Sequence, residues 1–385
     1  MRVIYFIDDK MGGVSSLCYN LVTHSPDLPY EQWVIHIDFL ESSKARANLK
    51  YPNAESIHFK YSGLENTYST IKRLYKSLPT EPGALVVNYE LEMEMLDHYP
   101  VRQTIYQLVH DNYNLALAIK FEHLVDVFIA HNKYIYDQLI KSLKTKKFAV
   151  FYLPHGVAVP PFYRKRNEIL NNEKLKLLFL GRLDEKKGIF DLPAIGRLLR
   201  ENNISVEWTC IGNGPEKQKL INQWKDEPNL VFLNPTSNIE VLEIASQHDV
   251  FVLPTKFEGS PVSLIETMSV GLVPIITDLE GSIREIVDAD IGFRIPMDDN
   301  LGFAVAITKL NEDRKLLSLM GDNCRKKIIS DFNILCTAPQ YHNLFKEYSL
   351  FYCPKKLQKN KIGARLDQPW LPSFITRTIR QWRRG

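Results

Sequence analysis

The chain has 385 residues, 45% of them hydrophobic and 24% charged, a length too great for one ordinary core and a composition typical of soluble globular proteins with two domains. No apolar run approaches the ~20 residues a membrane span needs, and Met1 to Asp9 (MRVIYFIDD) reads as a buried strand rather than a signal peptide, which predicts a cytoplasmic protein. The formal net charge of +3 is concentrated in Pro354–Gly385, where Lys355, Lys356, Lys359, Lys361, Arg365, Arg377, Arg380, Arg383 and Arg384 face only Asp367; the body before it is mildly acidic, which disfavours a nucleic-acid surface.

Short β-branched or aromatic runs alternate with helical patterns almost throughout, which predicts parallel sheets with crossover helices. In the first half the predicted strands are Val3–Ile7, Trp33–Phe39, Ser56–Tyr61, Ala84–Asn88, Thr104–His110, Val125–Ala130 and Phe148–Leu153. The run KMGGV after the first strand precedes a helix at Ser15–Val22, so Gly12 and Gly13 are candidates for backbone contact with a phosphate. Their spacing is not GxGxxG, and a dinucleotide cofactor is disfavoured. The strand TIYQLVHD ends in His110–Asp111, where a side chain is expected to leave the core for a ligand crevice, although most histidines are structural. The five cysteines, Cys18, Cys210, Cys324, Cys336 and Cys353, are odd in number and lack CxxC spacing, which predicts buried free thiols and no zinc site.

After a hydrophilic joint at Arg164–Lys174 the pattern starts again, with strands at Leu175–Leu180, Ser205–Ile211, Asn229–Leu233, Val250–Pro254 and Val273–Thr277. The expected fold class is α/β: two doubly wound domains, 1–165 and 172–336, with a ligand in the crevice at the carboxyl ends of both sheets.

The sharper marks lie in this second half. The run LLFLGRLDEKKG is a strand followed by Arg182 and Lys187, a cation pair able to clamp a diphosphate or, equally, an ordinary charged turn. WTCIGNGP is a strand ending in a glycine turn, where Gly212 and Gly214 let a ligand approach the backbone; a plain tight turn is the default for a lone GxG. In FVLPTKFEGSPVSLIETMSVGLVPIIT, Ser260 is the predicted N-cap, Pro261 the first helical residue and Gly271 the stop. The helix start at Gly259, Ser260, Pro261 and Val262 then faces an anion, with the carboxylates of Glu258 and Glu266 to either side. Two carboxylates flanking an anion site point to a nucleotide-sugar, each accepting hydroxyl hydrogen bonds from a sugar or a ribose.

In their order these motifs (GG at Gly12–Gly13, HD at His110–Asp111, GR with KG at Arg182 and Lys187–Gly188, IGNGP at Ile211–Pro215, and E-x7-E from Glu258 to Glu266) resemble the retaining GT-B glycosyltransferases of group 1, the family 4-like enzymes. The resemblance runs from about Met1 to Tyr348. It implies two Rossmann-like domains facing a cleft, a segment at 337–352 returning to the first domain, and transfer of a sugar from a UDP- or GDP-linked donor to an acceptor hydroxyl. It further implies Arg182 and Lys187 on the diphosphate, Glu266 on the ribose, Glu258 on the transferred sugar, His110 beside the anomeric centre and Gly13 near the phosphate, with no cofactor and no metal. Departures are His155-Gly156-Val157-Ala158 where the family often has NGVD, and Glu280–Gly281 where it has GG. A DxD at Asp288–Asp290 falls past the donor motifs and reads as a solvated turn. A nucleotide-sugar epimerase, a glycan phosphorylase or a non-catalytic scaffold that binds sugar nucleotides are the alternatives.

The tail, 354–385, is the last expectation. On a helical wheel Leu371, Phe374, Ile375, Ile379 and Trp382 share one arc, and Arg377, Arg380, Arg383 and Arg384 lie opposite. That division predicts a peripheral contact with an anionic membrane carrying a lipid-linked glycan acceptor, as in surface polysaccharide synthesis. The competing reading packs the apolar stripe on the first domain.

Overall fold

A computed structural model describes residues 1–8, 12–24, 28–42, 49–164, 173–235 and 237–382. Lys10 and Met11 of the KMGGV run, most of the Arg164–Lys174 joint, and Arg383 and Arg384 lie outside the described residues. The chain forms two compact units, one from Met1–Gly156 with Leu335–Gly385 and the other from Val157–Ile334.

The first unit is built on a parallel sheet of β1 (Arg2–Ile7), β2 (Glu31–Phe39), β3 (Glu55–Tyr61), β4 (Gly83–Val87), β5 (Thr104–Val109), β6 (Val127–Ala130) and β7 (Val150–Tyr152), in the order β3-β2-β1-β4-β5-β6-β7. Its central strands are buried on both faces: in β4, GALVV, every residue is buried. Burial on both faces is why they read as unbroken apolar runs. Consecutive strands run parallel, so each link must cross over, and helices such as Gly13–Thr23 and Glu90–His98 do so. Strand order reverses between β1 and β4, which opens a binding crevice outside their carboxyl ends.

The second unit repeats this plan with β8 (Leu175–Leu180), β9 (Val206–Ile211), β10 (Leu230–Leu233), β11 (Val250–Leu253), β12 (Val273–Thr277) and β13 (Phe293–Ile295), in the order β10-β9-β8-β11-β12-β13. Here the order reverses between β8 and β11. β13 was not expected from the sequence; it has only three residues, too few to show a period.

Leu335 onward belongs to the first unit. Tyr341 donates to the Leu153 carbonyl at 2.7 Å, and Tyr106 donates to the Leu344 carbonyl at 2.9 Å. The chain then runs as a strap: Lys355 pairs with the buried Asp126, Asp97 accepts from the backbone N–H groups of Gln358 and Asn360 at 3.0 Å each, and Ile362 enters the core. The last helix, Ser373–Trp382, docks with Thr376 buried and with polar contacts to the rest of the first unit. Asn66 N–H donates to Ser373 Oγ at 2.9 Å, Arg377 pairs with Glu65 at 3.2 Å, and Arg380 pairs with Asp367 at 2.7 Å. Phe374 and Trp382 remain 70% and 82% exposed, with Trp370 exposed beside them. The apolar stripe is therefore divided: Leu371, Ile375 and Ile379 are half-buried, while Phe374 and Trp382 face out. Equally, Lys355, Arg377 and Arg380 are engaged within the chain, so the free basic side chains of the tail among the described residues are fewer than its composition implies. Of the cysteines, Cys18, Cys210 and Cys324 are buried, but Cys336 and Cys353 are exposed, contrary to expectation.

Candidate active site

In the second unit the turns that leave β8, β9 and β11 knit together at the point where strand order reverses. Gly181 N–H donates to the Ile211 carbonyl at 3.1 Å and Leu183 N–H to the Asn213 carbonyl at 3.0 Å. A Cβ on Gly212, at φ +150, would lie 1.9 Å from the Gly181 oxygen, and one on Gly214 would lie 2.2 Å from the Leu183 oxygen. The two glycines of IGNGP are thus required by the neighbouring GRLD turn, a structural reason that exists before any ligand arrives.

The next turn is held against β11 in the same way. Gly188 is left-handed at φ +65, and a Cβ there would meet the Pro254 carbonyl oxygen at 1.7 Å. Lys256 N–H donates to the Lys186 carbonyl at 2.8 Å. This docking sets Lys187 Nζ 2.5 Å from Glu258 Oε1, a carboxylate only 7% exposed. Burial holds the Glu258 carboxyl above its ordinary range, and the Lys187 ammonium pulls it back down. Arg182, more open, pairs with Asp184 at 3.2 Å. Each cation therefore rests on a carboxylate, and a polyanion would have to compete for it.

The helix beyond runs Val262–Ser269 with Pro261 at its N-cap and no side-chain cap. Ser260 is thus one residue too early to be the N-cap, and Pro261 is not the first helical residue: with φ −76 and ψ 84 it is still outside the helix. Gly271, at φ +89, stands just past the end as expected. The Glu280–Gly281 loop packs back on the helix start, where Ser282 donates to the Gly259 carbonyl at 2.7 Å. Glu266 is half-buried, accepts from Asn238 Nδ2 at 3.2 Å, and has its carboxyl pushed up to about 7 by burial. Asp288 and Asp290 sit on an exposed turn in which the Asp290 N–H donates to Asp288 Oδ1 at 3.0 Å. Among the described residues no cluster of three or more His, Cys, Asp or Glu could hold a metal.

Gly12, Gly13 and His110 belong to the first unit. Gly12 is the uncapped N-cap of the helix Gly13–Thr23; its φ of 168 is extended, and a Cβ on it would meet nothing within 4 Å. Nothing within the described chain demands glycine there. His110 corrects the expectation of a side chain free of the core: it is 6% exposed, stacked on His131 with ring centroids 4.2 Å apart, and hydrogen-bonded to Asn88 Oδ1 at 3.3 Å. Burial lowers it to about 4. His131 and His155 complete the cluster; the sequence marks neither as a site residue, since His131 is a single histidine after a short apolar run (VFIAH) and His155 stands out only as the first residue of the HGVA departure. Both ring nitrogens of His155 and Nε2 of His131 are buried without a hydrogen-bond partner. Unpaired buried nitrogens are costly, and these three strand ends place them at the carboxyl edge of β5, β6 and β7.

Two doubly wound parallel-sheet units in succession give the fold of the GT-B glycosyltransferase structures. Residues 162–327, most of the second unit, match the family of glycosyl transferases group 1. The chain is 27% identical over 219 residues to the UDP-Gal:alpha-D-GlcNAc-diphosphoundecaprenol alpha-1,3-galactosyltransferase of Escherichia coli, covering 54% of this chain and 56% of that one. It is 25% identical over 215 residues to the capsular polysaccharide biosynthesis glycosyltransferase CapM of Staphylococcus aureus, covering 52% and 55%. The chain spans about half the length of these curated relatives. Among solved structures, Anabaena HepE in complex with UDP and glucose superposes with a TM-score of 0.70 at 13% identity, covering 90% of this chain and 100% of that one. No helix among the described residues is long and apolar enough to cross a membrane.

Proposed function

We propose that the chain is a retaining glycosyltransferase that moves a sugar from a nucleoside diphosphate, UDP in preference to GDP, to a hydroxyl of a lipid-linked glycan in surface polysaccharide synthesis. The observation that carries this is the Lys187–Glu258 pair held where strand order reverses. Arg182 and Lys187 neutralise the departing diphosphate, Glu266 accepts from the ribose hydroxyls, and Glu258, released from Lys187 as phosphate takes its place, accepts from the transferred sugar. The backbone at Gly12, Gly13, Gly212, Gly214, Gly259, Ser260, Pro261 and Val262 lets the phosphates approach closely. The C1–phosphate bond breaks, the acceptor oxygen bonds to C1 from the same face, and its proton leaves on a phosphate oxygen. His110, kept neutral by burial, supports the sugar through its ring or backbone. With two cations already placed, the reaction needs no metal. The UDP in the HepE complex supports the donor base, and the diphosphoundecaprenol in the E. coli enzyme's name supports the acceptor class.

The tail contributes a peripheral anchor. Trp370, Phe374 and Trp382 point away from the unit that holds the helix, and Lys356, Lys359, Lys361 and Arg365 are exposed along the strap before it. Aromatic side chains seat in the headgroup region while cations meet anionic lipid. Two assays test the reading: nucleoside diphosphate release from a panel of UDP- and GDP-sugars, and co-sedimentation with phosphatidylglycerol vesicles. Release from no donor overturns the enzyme; unchanged sedimentation of a Phe374→Ser/Trp382→Ser variant overturns the anchor.

A further inference from the structure

The first unit has its own reversal of strand order, between β1 and β4, and a cavity of about 340 Å³ opens there. Phe39 and Tyr61, at the ends of β2 and β3, supply aromatic faces, and Tyr113, 52% exposed, supplies another from the opposite side of the sheet order. Asp8, just after β1, and Glu90 and Glu94, on the helix after β4, supply carboxylates. No lysine or arginine lines the cavity among the described residues. Lys120 reaches Glu90 at 2.7 Å and offsets that one charge from outside. Burial, reinforced by Glu90, pushes the Glu94 carboxyl up to about 7, so added negative charge is disfavoured at this corner.

We propose that this cavity selects a sugar ring bearing no negative charge, an amine-bearing ring best of all; that the sugar is an acceptor rests on the transferase reading above. Aromatic faces cover the C–H surfaces of a pyranose, and carboxylates accept from its hydroxyls. An ammonium substituent would meet Asp8 and Glu94 and could sit over a tyrosine face. A uronate or a phosphate would meet the same carboxylates as a like charge, so the phosphates of a lipid carrier must stay outside while the sugar enters. The position fits that division. Tyr61 leads directly into the loop that the tail helix grips, where Arg380 donates to the Gly63 carbonyl at 3.1 Å and Arg377 pairs with Glu65. One short loop thus ties the cavity to the exposed aromatic face.

The test is saturation-transfer NMR on the full chain with three monosaccharide probes: glucosamine, N-acetylglucosamine and glucuronate. Glucosamine and N-acetylglucosamine should receive saturation, with glucuronate binding weaker on the order of ten-fold or more. Tyr61→Ala should abolish the transfer, and Glu94→Gln should erase the advantage of glucosamine over N-acetylglucosamine. Tyr113→Ala, at an exposed position where folding is not at stake, should weaken all binding several-fold. Equal binding of glucuronate, or full binding by Tyr113→Ala, overturns the proposal. The readout is binding and not turnover: a chain that binds glucosamine here yet releases nucleotide from no donor keeps the pocket and loses the transferase.

Discussion

Lys187 Nζ and Glu258 Oε1 lie 2.5 Å apart, joining the turn after β8 to the turn after β11 across the place where strand order reverses. The carboxylate is buried and the lysine a quarter exposed, so removing the cation strands a charge that water reaches poorly. Lys187→Ala should cost about 2 kcal/mol, below the full buried-pair range because the lysine is partly solvated. The double variant Lys187→Met/Glu258→Gln should recover most of that loss. Urea denaturation of wild type, Lys187→Met, Glu258→Gln and their double variant reads the coupling; additive losses would show that the pair is not energetically joined.

Glu266 carries a pH signature. Its folded carboxyl is pushed up to about 7 from an ordinary value of 4.5, so the protonated form is the one the fold favours. That contribution is complete below about pH 4.5 and is lost as pH rises through 7. Glu266→Gln should therefore melt with the wild type at pH 5 and above it at pH 8, while its UDP affinity falls about ten-fold if the ribose contact is real. A stability difference independent of pH would contradict the burial argument.

The glycines divide into two kinds. Gly188→Ala and Gly212→Ala force a Cβ into a backbone oxygen at 1.7 Å and 1.9 Å, and each should cost more than about 2 kcal/mol. Gly12→Ala meets open space and should stay within about 0.5 kcal/mol of wild type. If Gly12 serves the phosphate, donor turnover nonetheless falls in that variant. Chemical denaturation and nucleotide release, measured side by side, separate the two kinds.

The buried histidines set the acid limit. His110 and His342 are lowered to about 4 and His155 to about 3, chiefly by burial, so each stabilises the fold fully above about pH 6.5 and progressively less as pH falls toward those values. His155→Phe removes one such group and two unpartnered nitrogens. Stability at pH 7.5 should hold or rise, and the slope between pH 6 and 4.5 should flatten by up to about 1.4 kcal/mol per pH unit. Urea midpoints across that range check it; an unchanged slope would mean that His155 is not buried neutral.

Much of this architecture can be read from the chain alone. β8 and β12 end where their apolar runs end, because strands buried on both faces have no polar alternation to blur them. The cations and carboxylates of the second unit were visible as motifs, but not that they would pair, since Lys187 meets Glu258 only after Gly188 docks on Pro254. The tail shows where periodicity stops. A wheel separates the apolar arc from the basic one, yet which arc packs depends on partners some 300 residues away, such as Glu65 and Asn66, that no local pattern announces. His110 likewise sits at its expected strand end, while the stacking on His131 that buries it is a relation between neighbouring strands.

The most direct measurement compares Glu258→Gln with wild type, using UDP affinity by calorimetry and steady-state nucleotide release from the preferred sugar donor. A carboxylate that touches the transferred sugar and not the diphosphate predicts turnover reduced about a hundred-fold or more with UDP affinity changed less than about three-fold. Turnover within a few-fold of wild type, or affinity and turnover falling together, would contradict the assignment of this pair to the centre of a sugar-transfer site.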